Sequence, residues 1–312
     1  MRKSFCFIIA VATFSGVTAQ ERGGLVVNKF RHTPLLLNAY SSAVSDKVEN
    51  VVSAAYSLRR INLFYNGPLV RVRVRKSSTW YEYDIDFTDD NELDTVSLKT
   101  NVGARDSYVI KWYDQSGNGR DAAPSGTATS AMPMITNGGV IYRKGTNNKP
   151  AVTFQDASQE LYYTGTTTVQ VVNAVRDLIG NSYQYLFSMP ADADFSVRAS
   201  GGYTAASGGG YSDGPNSNDW WFGGSMYVNN SAISGSSSGA VRALHTLVSI
   251  ASSAKSGTFS ISNTSSSAWA DRGMYNGDGV CELLLLPSSS GMSVSATRLV
   301  VQNNQKAYFG TP

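Results

Sequence analysis

Between residues 69 and 75 the chain alternates strictly. In Leu69-Val70-Arg71-Val72-Arg73-Val74-Arg75 three valines fall on one side and three arginines on the other, the period-two mark of a half-buried strand. Residues 80–87 repeat the pattern, with Tyr81, Tyr83, Ile85 and Phe87 sharing a side. A hairpin turning at Lys76-Ser77-Ser78 sets the arginines against the acidic side chains of the second strand as cross-strand partners. Short apolar runs predict further strands over 109–113, 151–154, 161–163, 244–251, 257–261 and 280–286. Helical spacing is clearest over 45–60, where positions 48, 51, 52, 55 and 58 are apolar, Ser45 and Asp46 can cap the start, and Arg59 and Arg60 suit the end. A short second helix is expected over 93–100, and 294–308 reads as a helix followed by a terminal strand. Many short strands divided by turns indicate a mainly β sandwich, with no internal repeat and no linker that divides it.

Composition narrows the class. The 312 residues are 42% apolar and 16% charged, against about 25% charged in an average domain, so the polarity comes from Ser, Thr, Asn and Gly. A coiled coil, a helical bundle and a highly charged tail are excluded. A net charge of +3 gives no basic footprint for nucleic acid. The stretch 201–239 is rich in Gly, Ser and Asn yet contains Tyr203, Tyr211, Trp220, Trp221 and Phe222. Disordered linkers are poor in aromatics, so strands joined by long loops are expected there.

At the N-terminus Arg2 and Lys3 precede an apolar stretch over 5–17, and Val17-Thr18-Ala19 stands before Gln20. This describes a secretory signal over 1–19, the alternative being an uncleaved apolar arm that packs on a neighbouring subunit. The stretch is too short to span roughly 30 Å of hydrocarbon. An extension over 20–44 and a sandwich over 45–312 complete the division. A cleaved leader implies a secreted or cell-surface protein, and a retained one implies a virion. The cysteines are Cys6 and Cys281, so a processed chain holds one thiol, expected to be buried within its apolar run. Cysteine-ligated zinc is excluded by count, and His32 and His245 are read as ordinary surface or core residues.

Three segments carry a resemblance: Ala55-Tyr56-Ser57-Leu58-Arg59-Arg60, Tyr65-Asn66-Gly67-Pro68-Leu69-Val70-Arg71-Val72-Arg73, and Trp112-Tyr113-Asp114-Gln115-Ser116-Gly117-Asn118-Gly119-Arg120-Asp121-Ala122. With Lys149 to Phe154 and the strand around Glu282, they resemble the concanavalin A-like (LamG-like) jelly-roll sandwich of the family-54 α-L-arabinofuranosidase catalytic domain. They look closer still to non-enzymatic relatives in Bacteroidetes surface proteins and their phages. The turn at 114–121 reads first as a structural device, with Asp114 and Asn118 bonding local backbone and Gly117 and Gly119 supplying positive φ. Asp114 and Asp121 are also the residues offered to a calcium ion, and no other cofactor is implied.

Counting back from Glu282, the resemblance places the family's acid at Asp271. The matching nucleophile belongs near 195–200, where no Glu stands and Asp192 and Asp194 are the nearest carboxylates. A retaining glycosidase needs both carboxyl groups. The unmatched Glu therefore favours a non-catalytic glycan-binding or attachment module, on a bacterial surface or on a virion as spike, fibre or decoration. An arabinofuranosidase-like hydrolase using Asp271 and Asp194 is the alternative, and a purely structural virion subunit a third. For glycan binding the candidates are Trp220, Trp221, Tyr211, Asp213, Asn218 and Asp219, a mixture of flat rings and polar groups suited to sugars. Trp220 and Trp221 point to opposite faces of a strand, so only one can enter a given cleft. The expected partners are a cell-surface polysaccharide, with further copies of the chain or virion neighbours.

Overall fold

The computed structural model of the chain describes residues 52–62, 64–179, 184–189, 192–199, 225–233, 244–262, 273–274, 276–289 and 295–312. The expected leader over 1–19, the expected extension over 20–44 and residues 201–224 lie outside the described residues.

The described chain runs through β1 (Ala54–Ser57), β2 (Val70–Lys76), β3 (Thr79–Ile85), α1 (Thr95–Val102), β4 (Ser107–Trp112), β5 (Met134–Asn137) and β6 (Val140–Ile141). After the small strands β7 (Arg143–Lys144), β8 (Lys149–Pro150) and β9 (Val152–Phe154) comes the long β10 (Leu161–Asp177). Then follow β11 (Gln184–Met189), β12 (Asp192–Ala199), β13 (Ser225–Val228), β14 (Ser231–Ile233), β15 (Leu244–Ile261), β16 (Asp278–Leu286) and α2 (Ser295–Phe309). Pairing is antiparallel, in the order β12-β11-β15-β10-β16-β9-β5-β4-β2-β3. β1 adds to β16, and β13 adds to β15. The path folds over itself into a β-sandwich. Val70, Val72 and Val74 of β2 and Trp112 of β4 share one buried cluster with Tyr56, Phe154, Phe259, Leu283 and Leu285 from the opposing strands.

The hairpin forms as its alternation predicts. Arg71 stands opposite Asp84 and Arg73 opposite Glu82, with ion-pair distances of 2.7 and 2.5 Å. Ser77 takes the left-handed backbone of the tight turn, at φ 56°. The second helix also forms, shifted to Thr95–Val102, because Asp94 caps it by accepting from the N–H groups of Val96 and Ser97.

Two expectations are corrected. The segment 52–60 is not helical: β1 is extended, with Ala54, Tyr56 and Leu58 in the main core and Ala55 in a separate cluster with Leu284 and Val301. A strand buried on both faces is apolar on both, so its spacing can imitate that of a helix. The expected terminal strand is absent: α2 runs on through Tyr308 and ends at Gly310, whose φ is 68°. The strand runs at 244–251 and 257–261 are one continuous strand of 18 residues, and that at 161–163 continues for 17.

β16 is buried along its whole length. Leu283 and Leu285 face the sandwich core, whereas Leu284, Leu286 and Cys281 sit in the clusters that include α2 residues. A bulge, where Val175 pairs with Glu282 and Arg176 with Val280, leaves Cys281 as the extra residue. Among the described residues no helix is long and apolar enough to cross a membrane.

Candidate active site

The polar groups of the 114–121 turn are committed to the backbone. Asp114 Oδ1 accepts from the N–H groups of Ala55 at 2.8 Å and Ser116 at 2.9 Å. Its Oδ2 accepts from the Arg120 N–H at 3.0 Å and the Ser116 hydroxyl at 2.7 Å. Asp121 accepts from the Asp114 N–H at 3.0 Å and meets Lys111 at 3.5 Å. Gln115 donates to the carbonyls of Ser57 and Arg59 and accepts from the Ile61 N–H. Asn118 donates to the carbonyls of Val52 and Ser53. These side chains do for one edge of β1 what a neighbouring strand does elsewhere. Asp114 and Asp121, the pair offered to calcium, are thus ties to the backbone, and the described residues contain no cluster of three or more potential metal ligands.

Glu282, the reference point for counting back to Asp271, faces α2. Its carboxylate is fully buried and pairs with Arg59 Nε at 2.8 Å, and it accepts from Ser57 at 3.0 Å and from Gln305 at 3.1 Å. Cys281 beside it is free and buried, and burial pushes its thiol well above the usual range. A nucleophilic thiol needs the opposite shift.

The carboxylates with catalytic potential belong to a different end of the sandwich. There Leu161, Ile261, Phe187 and Val197 form a row across β10, β15, β11 and β12, all facing the core. Offset by one residue is a second row, Tyr162, Ser260 and Ser188, which alternation sets on the other face. Glu160 precedes β10 and is only 5% exposed. Its Oε2 accepts from the Ser260 hydroxyl at 2.9 Å. Among the described residues that is the carboxylate's only hydrogen bond, and no cation pairs with it.

Asp271 lies outside the described residues, but the segment that carries it is fixed at Gly273 and Met274. The Met274 N–H donates to Ser262 Oγ at 2.8 Å. Gly273 is pressed so closely on the Ala157 carbonyl that a Cβ would stand 2.1 Å from its oxygen. Gly273 therefore sits between the loop leading to Glu160 and the end of the strand that bonds Glu160. Asp192 and Asp194 lie on β12, where the register slips between Ser188 and Met189, and their side chains are outside the described residues. So are Tyr211, Asp213, Asn218, Asp219, Trp220 and Trp221. Glu160 had no signal in the sequence: a Gln-Glu pair before an alternating run reads as ordinary surface. A cavity of about 460 Å³ lined by Thr146, Asp177, Leu244 and Thr311 is at the opposite end of β10 and takes no part.

No family model and no curated protein matches the sequence. Solved structures do. A family-54 α-L-arabinofuranosidase variant soaked with 4-nitrophenyl α-L-arabinofuranoside is 16% identical with a TM-score of 0.56. An arabinofuranosidase complexed with arabinofuranosyl-α-1,2-xylobiose is 14% identical with a TM-score of 0.50. Each match covers 88% of this chain and 65% of the other, so the chain spans just under two thirds of those enzymes. At such identity the likeness is one of fold. It nonetheless corrects the expectation of a non-catalytic module: the proteins that share this sandwich are hydrolases, and the alternative reading is the one they back.

Proposed function

We propose that the chain is a glycoside hydrolase of the arabinofuranosidase type, removing α-L-arabinofuranosyl groups from a glycan. The supporting observation is the sandwich shared over 88% of the chain with an enzyme soaked with an arabinofuranoside. Fold alone does not assign chemistry. The local support is a buried carboxylate, Glu160, at one end of the sheet, with Gly273 and Met274 packed on the loop and strand beside it. In this reading Asp271 is the general acid that protonates the leaving oxygen and the general base that activates water afterwards.

The test is release of 4-nitrophenol from 4-nitrophenyl α-L-arabinofuranoside. Wild-type protein turns the substrate over, and Asp271→Asn lowers kcat/KM on a natural, poorly activated glycoside by about 10²–10⁴-fold. The 4-nitrophenyl substrate suffers less in the first step, because its leaving group needs little protonation. A wild-type protein inactive across furanoside and pyranoside substrates would falsify the reading.

A further inference from the structure

We propose that the tip of the β2–β3 hairpin is an accessory binding site for an acidic glycan, one whose sugars bear carboxylate groups. The site goes beyond the hydrolase reading, on which it rests only for the choice of a glycan over other polyanions.

The alternation that builds the hairpin sets three arginines but two acids on its outer face. Arg71 and Arg73 stand opposite Asp84 and Glu82, whereas Arg75 stands opposite Trp80, its guanidinium 5.9 Å from that ring. Lys76 falls on the other face. Its Nζ lies 5.3 Å from the Tyr81 ring and 4.7 Å from the Tyr83 ring, and donates to the Tyr83 hydroxyl at 2.8 Å. Among the described residues no carboxylate pairs with Arg75 or Lys76, and Arg75 makes no hydrogen bond.

The rings beside these cations are open. Trp80 and Tyr81 are 41% and 44% exposed, and with Phe64 they are the exposed aromatic residues among those described. Trp80 meets the edge of Tyr108, centroids 6.2 Å apart, which sets its position while much of its surface stays in water. β3 ends the strand order, and edge strands are guarded by charge. The Arg71–Asp84 and Arg73–Glu82 pairs already supply that guard, and they leave two unmatched cations and two open rings unexplained. A guanidinium takes a carboxylate through parallel N–H bonds, and a flat ring takes the apolar face of a sugar. Both groups are used at once by a sugar that carries a carboxylate. A neutral glycan leaves the cations idle.

Isothermal titration with polygalacturonate, which has a carboxylate on each sugar, tests this, with its carboxyl-reduced form as the neutral control. Wild-type protein should bind the acidic polymer about tenfold more tightly or better, the effect of one hydrogen bond to a charged group, and less tightly as salt is raised. The double variant Arg75→Gln, Lys76→Gln should lose that preference, and Trp80→Ala should weaken binding of the acidic polymer. Equal wild-type affinity for the two polymers, or an unchanged preference in the double variant, overturns the site. Equal affinity for polyglutamate, which has carboxylates and no sugar rings, overturns the choice of a glycan. A dimer that Trp80→Ala dissolves puts a second copy on this face and overturns it too. Turnover of 4-nitrophenyl α-L-arabinofuranoside is followed separately and should be unchanged in the variants. Turnover without preference for the acidic polymer sinks this site alone, and preference without turnover of any glycoside sinks the hydrolase reading alone. The comparison of polymers on unmodified protein is independent of whether the variants fold.

Discussion

Asp114 shows how much one side chain can decide. Three backbone N–H groups, those of Ala55, Ser116 and Arg120, end on its carboxylate, and it is 3% exposed. Removing the acceptors leaves buried donors unsatisfied, at a cost of about 1–3 kcal/mol each. Asp114→Ala should therefore lose about 3 kcal/mol or more in urea denaturation. Asp114→Asn should lose less, since it keeps one acceptor for Ala55 and Ser116. A chelator should leave the melting temperature unchanged, because backbone donors and not a cation hold the turn. The two most buried of the raised tyrosines contribute to an alkaline limit. Burial raises the hydroxyls of Tyr56 and Tyr308 well above their ordinary value of 10.0, with nearby carboxylates adding to it. Above that value the unfolded chain ionises its tyrosines while the folded one keeps these two protonated, so stability present below about pH 10 falls as pH rises further. Melting temperatures between pH 8 and 11 check this, and Tyr56→Phe should blunt the decline.

β1 is the element on which packing overrides local preference. Its one edge pairs with β16, Ala54 opposite Leu285 and Ser57 opposite Glu282, and its other edge meets the side chains of the 114–118 turn. A helix here would leave both sets of partners unmatched. The strand leads into Arg59, which pairs with Glu282 and donates to Asn304 of α2 at 2.9 Å. The Arg59 guanidinium also lies 4.1 Å from the Tyr308 ring centroid. α2 is thus fastened to the sheet by polar contacts as well as apolar ones, Gln305 bridging Glu282 and Asn173. Breaking a buried pair on one side costs about 3–5 kcal/mol, so Arg59→Met should be strongly destabilising. The double variant Arg59→Met, Glu282→Met should be less destabilised than the two single losses added, because no buried charge remains unmatched. Urea unfolding of the three variants measures the difference.

For the whole molecule, the antiparallel order places the start of β10 beside the end of β15, and β11 and β12 beyond it. That arrangement gathers Glu160, Ser260 and the Gly273 segment from positions about a hundred residues apart in the chain. Export through cleavage after residue 19 is part of the proposal: on it the protein begins at Gln20 by intact mass, and a mass that includes Met1 contradicts it.

The β2–β3 hairpin and α1 could be read directly because their causes are local. Alternation sets which face each side chain takes, and Asp94 caps the helix from immediately outside its first residue. The sandwich class followed from the same alternation repeated along the chain. What tertiary structure alone decided is where partners come from far away: β1 is a strand because Asp114 lies 59 residues on, and Glu160 is buried because Ser260 lies 100 residues on. Spacing along a chain records periodicity and caps. It carries no trace of a hydrogen bond whose two ends meet only after the sheet has closed.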